Sequence, residues 1–306
     1  VRELVEKFAQ GIRRARDAGY DAAELHGAHG YLINQFVSPF SNKRTDEYGG
    51  NLHNRLRFPL EIIARAKELV GEDYPIIYRI SADEMAEGGL TIEDTKVIAQ
   101  ILEEAGIAAL HVSAGVYKSG SIVSAPSAVR TAPFSDYAQQ IRRMVQIPVF
   151  AVDKIVYPEV AESLLREGKA DFIAMGRASI ADPELPNKVR EGRLDEILPC
   201  IGCWQGCQGK IAMQEPVSCL VNPRTGKEEA YTVRKAEKSK KVMVIGGGPA
   251  GMEAAIVAAK RGHDVTLYEK TDRLGGQWLA AAVPPGKEML NSFTVWQKAE
   301  LIRSGV

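Results

Sequence analysis

Cys200, Cys203, Cys207 and Cys219 are the only four cysteines of this 306-residue sequence, and they are spaced C-x2-C-x3-C-x11-C. Three close ligands with a fourth on a longer loop make a compact thiolate cage. Gly202, Gly206 and Gly209 stand where the backbone must bend past a metal. Four-thiolate zinc sites more often use paired C-x2-C knuckles, and the second knuckle is missing here. The spacing therefore favours an iron–sulfur cage over zinc. Two disulfides are the other use of four cysteines, but such frameworks belong mainly to small, loop-rich domains.

A second group is Glu24-Leu-His26-Gly-Ala-His29-Gly-Tyr31. Two histidines three apart, with a tyrosine two further on, can converge on one small polar group. Two histidines also suit a metal, although no third ligand stands near them, and a hydrogen-bonded loop pair needs neither; residue types alone leave the choice open. Arg79 is open in the same way, since a carboxylate such as Asp83 could pair with it. Lys154 and Gly176-Arg177 follow two successive strands. These are the loops in which (β/α)8 barrels commonly hold a phosphate, which suggests a phosphate-bearing cofactor such as FMN.

The third group is Gly246-Gly-Gly248-Pro-Ala250-Gly251, which follows the apolar run Val242–Ile245 and is answered by Glu269 at the end of the next strand. Gly246 permits the tight turn, Gly248 lets a pyrophosphate approach the backbone, and Gly251 packs helix on strand. Glu269 would accept from a ribose hydroxyl. Leu274-Gly-Gly-Gln277 adds a second glycine bend, which favours FAD over a bare nicotinamide site.

The elements that must position these groups change character along the chain. Up to about residue 175, short apolar strands (22–25, 75–80, 109–112, 148–152, 171–175) alternate with amphipathic helices, the one at 91–105 opening on a Thr91/Asp94 capping box. That alternation demands a parallel sheet with helical crossovers, and polar or glycine-rich loops after the strands suit the C-terminal face of a (β/α)8 barrel rather than an open doubly wound sheet. Residues 224–241 form a charged, solvated connector. The fold class expected is α/β: the C-terminal part of a TIM barrel over 1–195, a cluster loop and linker over 196–240, and the start of a Rossmann-like FAD/NAD(P) domain over 241–306.

Composition narrows the partners. Lysine plus arginine equals aspartate plus glutamate at 39 each, which argues against nucleic acid or an anionic membrane. No apolar run approaches the ~20 residues of a membrane span. The opening on Val1 inside a helical pattern, and the closing Leu301-Ile-Arg-Ser-Gly-Val306, read as an internal fragment, with about three βα units of a barrel ahead of it.

Together, His26-Gly-Ala-His-Gly-Tyr-Leu32, Asn42-Lys-Arg-Thr-Asp-Glu-Tyr-Gly-Gly50, Asn54-Arg-Leu-Arg-Phe58, Met175-Gly-Arg177, Ala181-Asp-Pro183, Cys200-Ile-Gly-Cys203 and Ser218-Cys-Leu-Val-Asn-Pro223 closely resemble the multidomain branch of the old yellow enzyme family. That branch includes 2,4-dienoyl-CoA reductases, enoate reductases and NADH oxidases. The resemblance implies FMN in the barrel, a [4Fe–4S] cluster on the four cysteines, and an FAD module reduced by NAD(P)H. It implies that His26 and His29 hold the carbonyl oxygen of a small unsaturated substrate and that Tyr31 donates the proton. It places Arg79 at the N1/O2 edge of FMN and Gly176 and Arg177 at its phosphate. It further implies a cytoplasmic enzyme, is compatible with a homo-oligomer, and leaves NADH against NADPH open. Two departures stand out. Asp153 replaces the usual glycine and would repel a phosphate beside Lys154, and Tyr117 stands where dienoyl-CoA reductases carry a second catalytic histidine. An amine dehydrogenase of the trimethylamine type shares the layout, but those relatives put tyrosine where His26 stands. An NADH oxidase without a dedicated organic substrate is the third reading.

Overall fold

The computed structural model describes all 306 residues except the side chains of Ser121 and Ile122. The chain divides into two compact units. The first comprises Val1–Ala125, Thr131–Ile155 and Glu159–Ala174, and the second Pro126–Arg130, Val156–Pro158 and Met175–Val306.

The first unit runs α1 (Arg2–Asp17), β1 (Ala23–Gly27), α2 (Leu32–Val37), α3 (Leu52–Val70), β2 (Ile76–Ser81), α4 (Ile92–Glu104), β3 (Ala109–Ser113), α5 (Ser135–Arg142), β4 (Val149–Val152), α6 (from Pro158 to Arg166) and β5 (Phe172–Ala174). All five strands pair in parallel in the order β1-β2-β3-β4-β5. Strands laid side by side in chain order are the wiring of a (β/α)8 barrel, whereas a doubly wound sheet reverses order at a switch point. The described strands show no reversal.

Register sorts the strand residues into two rows, because successive side chains alternate between faces. Leu25, Tyr78, Leu110 and Val149 align across four strands, and all are buried. The adjacent row, on the opposite face, is His26, Arg79, His111, Phe150 and Phe172, one residue from each strand. Gly27 is small for a reason: a Cβ there would lie 2.2 Å from the Tyr78 hydroxyl oxygen. The α4 capping box is present in both halves, with Thr91 and Asp94 reciprocally bonded to backbone amides.

The loop after β1 contains a helix, α2, that the sequence pattern does not announce. A fully buried carboxylate secures it. Glu84 accepts from Asn34 Nδ2 (2.9 Å), Ser38 Oγ (2.6 Å) and Leu90 N (3.0 Å), while Asn34 Oδ1 takes Gly30 N at 2.6 Å. A buried carboxylate is tolerable only with such partners, and here they fasten the segment that carries His29 and Tyr31.

The second unit has α7 (Gly176–Ala181), α8 (Leu185–Arg190), the cysteine segment with α9 (Gln208–Ala212), then β6 (Lys241–Ile245), α10 (Pro249–Lys260), β7 (Asp264–Tyr268), α11 (Gln277–Ala281) and α12 (Leu290–Arg303). β6 and β7 pair in parallel, and Met252, Ala255, Ile256, Val265 and Leu301 form the core beneath them. This is the strand–turn–helix–strand unit expected around Gly246–Gly251. No described helix is long and apolar enough to cross a membrane.

Candidate active site

His26 stands at one end of the row that crosses the five strands, and the chain then turns sharply through His29, whose φ of 62° lies in the left-handed region. Two neighbouring strands hold that conformation: His29 N donates to Ser81 Oγ on β2 (3.0 Å), and its Nε2 lies 2.7 Å from Ser113 Oγ on β3. Burial, then the charges of Arg79 and His26, push His29 down to about 3, so the imidazole is neutral. His26 is also lowered, by burial first and Arg79 next. Its Nδ1 accepts from Ala28 N at 3.3 Å, which leaves the ring hydrogen on Nε2.

The rings gather as the sequence suggested. His26 lies 5.0 Å from His29 and 4.8 Å from Tyr31 between centroids, both edge-on. Tyr31 in turn meets Tyr117 edge-on, and the Tyr117 hydroxyl donates to the Tyr31 hydroxyl at 2.7 Å. Tyr31 Oη thus accepts one bond and keeps its own hydrogen to give. Two neutral imidazoles and a phenol can supply N–H and O–H donors to a polarised oxygen and a proton to carbon, without any carboxylate. Among the described residues no third acidic, His or Cys ligand joins them into a metal-holding group.

Behind them in the same row, Arg79 has its Nε buried without a hydrogen-bond partner. Asp83 does not engage it and instead accepts from Met85 N at 2.7 Å. Burial lowers Arg79, against the raising charges of Glu24 and Asp153. Next in the row is a pair the sequence reading did not single out: His111 Nδ1 lies 2.7 Å from Glu24 Oε2. Burial alone would raise the Glu24 carboxyl, but the His111 bond and charge outweigh it and leave it below the usual carboxylate range. Nothing in a strand pattern distinguishes these two from barrel filler; the cross-strand register alone joins them. Lys154 and Asp153 both adopt left-handed φ (47° and 81°) and are buried. The Asp153 carboxylate is occupied by Ala125 N at 2.8 Å.

In the second unit all four cysteines line one small cavity, with Arg177, Ile180, Trp204 and Val221 among its walls. Burial pushes the Cys200 thiol up to about 11, although Gly202 N and Arg177 pull the other way, and burial raises Cys219 too. Arg177, named above for a phosphate, also lines the cysteine cavity. Gly176 opens α7 with nothing within 4 Å of where a Cβ would be. At the dinucleotide motif, Gly246 has φ 105° and a Cβ on Gly251 would lie 1.9 Å from Gly246 O, while Gly248 faces open space. Glu269 braces this loop, its Oε2 accepting from Gly247 N at 2.8 Å and Oε1 from Thr271 N at 2.9 Å. The Gly247 bond, first, holds its carboxyl below the ordinary range. The second glycine bend closes on the first, Gly275 N donating to Gly247 O at 2.8 Å. Ala250 and Gln277 are exposed at the starts of α10 and α11.

The sequence profile of the NADH:flavin oxidoreductase / NADH oxidase family matches residues 1–196. The chain belongs to that family. A second profile, FAD dependent oxidoreductase, matches 241–301. Among curated proteins, the NADH oxidase of Thermoanaerobacter brockii is 52% identical over 100% of this chain and 47% of its own length. The cinnamate reductase of Clostridium sporogenes is 39% identical over 100% and 48%. Among solved structures, a 2-naphthoyl-CoA reductase in complex with 2-naphthoyl-CoA superposes with a TM-score of 0.96 at 36% identity, covering 100% of this chain and 47% of that one. The histamine dehydrogenase of Rhizobium sp. 4-9 follows at 0.90 and 32%, covering 99% and 44%. The chain therefore spans about half the length of the curated relatives it matches.

The residues fit the cofactors these matches suggest. Arg79's orphaned buried donor suits a group presenting acceptor atoms, as a flavin edge does. The open side of Gly248 suits a pyrophosphate at the start of α10. Among the described residues no three His, Cys, Asp or Glu form a site for a single ion; what the four thiols share is a cavity.

Proposed function

We propose that the chain is the barrel-to-flavin junction of an NAD(P)H-dependent flavin and iron–sulfur ene-reductase, acting on the C=C bond of an α,β-unsaturated carbonyl compound such as a 2-enoate, an enoyl-CoA or a steroid enone. The observation that carries the reading is the neutral His26/His29 pair with Tyr31 packed on His26, His26 sharing a strand row with Arg79, whose buried Nε has no partner. Arg79 and Lys154 would hold FMN, Cys200, Cys203, Cys207 and Cys219 a [4Fe–4S] cluster, and Gly246–Gly251 with Glu269 and Gln277 FAD. When bound, FMN supplies hydride to the β-carbon, and FAD and the cluster supply the route from NAD(P)H.

The chain's own residues do the rest. His26 offers Nε2–H to the carbonyl oxygen. His29 offers Nδ1–H when Ser113 donates to its Nε2, and the two bonds strengthen as negative charge grows on that oxygen. Tyr31 gives its proton to the α-carbon, and Tyr117, already donating to Tyr31, can restore it. One hydride and one proton then saturate the double bond.

The amine-dehydrogenase reading has an observation of its own. Tyr31 and Tyr117 present an edge-on aromatic pair, which could face a cation. His26 beside them favours the carbonyl reading. Anaerobic turnover of the holoenzyme with cinnamate-like, CoA-bound and steroid enones, against secondary amines, with NADH and with NADPH, decides between them. Tyr31→Phe should slow alkene reduction ~100-fold or more while leaving flavin reduction by NAD(P)H intact. Unchanged alkene turnover would remove Tyr31 from its role.

A further inference from the structure

We infer that Trp204 donates a hydrogen bond from its indole Nε1 to a sulfur of the group held by the four cysteines, and so raises that group's reduction potential. The inference rests on the cysteines being cluster ligands.

The chain has three tryptophans. Two indoles are satisfied: Trp278 Nε1 donates to Leu290 O at 2.8 Å and Trp296 Nε1 to Glu196 O at 3.0 Å. Trp204 Nε1 is buried and has no partner. An indole nitrogen is a donor only, with no other way to be satisfied, and buried donors left orphaned in a native fold are uncommon. Trp204 lines the same small cavity as Cys200, Cys203, Cys207 and Cys219. Sulfur acceptors in that cavity would give this N–H the partner it lacks.

The backbone is committed to this placement. Trp204 has φ 66°, a conformation costly for a bulky side chain and retained where the surroundings over-determine it. Its carbonyl is fixed by Gly209 N at 2.8 Å, and Cys207 Sγ approaches the same oxygen at 3.9 Å. Gly206, two residues on, cannot take a Cβ, which would lie 2.6 Å from Ser218 O.

Reduction adds an electron to the cluster and makes its sulfurs better acceptors. A donor aimed at them therefore stabilises the reduced form, and hydrogen bonds to sulfur are among the levers that set such potentials. Trp204→Phe keeps the ring and removes the donor. In an EPR-monitored redox titration of the anaerobic holoenzyme, the variant's reduced-to-oxidised ratio at fixed potential should fall on the order of tenfold, a one-electron shift of about 59 mV to more negative values. Iron and acid-labile sulfide are measured on both proteins first. Zinc in place of iron overturns the cluster reading and this inference with it. A full complement of iron and sulfide with an unmoved midpoint overturns the inference alone. Should the variant fail to assemble, wild-type holoenzyme carrying 15Nε1-tryptophan and exchanged into D2O gives the answer directly. An indole nitrogen and an exchangeable deuteron coupled to the reduced cluster support the hydrogen bond, and their absence refutes it.

Discussion

His29 shows how a residue's surroundings fix its chemistry. It is buried beside Arg79 and His26, and its Nε2 is taken by Ser113, so it can give or accept a hydrogen bond but does not hold a charge. The consequence reaches stability. Its folded value is depressed to about 3 from an ordinary 6.5. Above pH 6.5 both folded and unfolded states are neutral and contribute nothing. Between 6.5 and 3 only the unfolded chain takes up the proton, so stability falls as pH falls, by at most about 1.4 kcal/mol per pH unit. Urea midpoints of His29→Gln should therefore decline less steeply from pH 6.5 to about 4 than those of the native protein. Equal slopes would mean that His29 titrates normally.

At the level of elements, the two glycine loops make opposite demands. A Cβ on Gly251 would collide with Gly246 O at 1.9 Å, whereas one on Gly248 would enter open space. Gly251→Ala should thus distort the turn itself, lowering both FAD content and the melting temperature. Gly248→Ala should leave the melting temperature of the FAD-free protein unchanged, yet reduce FAD retention at least several-fold, because only the approaching pyrophosphate meets the new methyl. Flavin analysis after denaturation, which separates FAD from FMN, checks both. Normal FAD content in Gly248→Ala would mean the cofactor does not come close there.

Over the whole molecule, the proposal makes the cysteine segment the joint on which two flavin sites depend. Cys203→Ser should abolish the cluster, seen as lost iron. Reduction of FAD by NAD(P)H should survive at its native rate, while FMN reduction by NAD(P)H falls by orders of magnitude. Dithionite, which needs no internal route, should still reduce FMN. If FMN is reduced by NAD(P)H at the native rate in iron-free enzyme, the relay is wrong.

The division between sequence and structure follows from what each kind of signal is. Local signals were legible: the periodicities that gave every strand of the first sheet to within about two residues, the Thr91/Asp94 capping box, the strand–glycine–helix run at Gly246–Gly251, and the spacing of the cysteines. The grouping of His26, His29 and Tyr31 could be read because three nearby residues on one turn have few ways to avoid each other. What only the tertiary structure decided is who meets whom across strands. Glu24 pairs with His111 across β2, Ser113 fixes His29, Tyr117 reaches Tyr31 from 86 positions away, and Glu84 fastens α2. Cross-strand register and burial arise from packing, which no window of sequence contains. The same packing turned Trp204 from a residue between two cysteines into a wall of their cavity with a donor to spare.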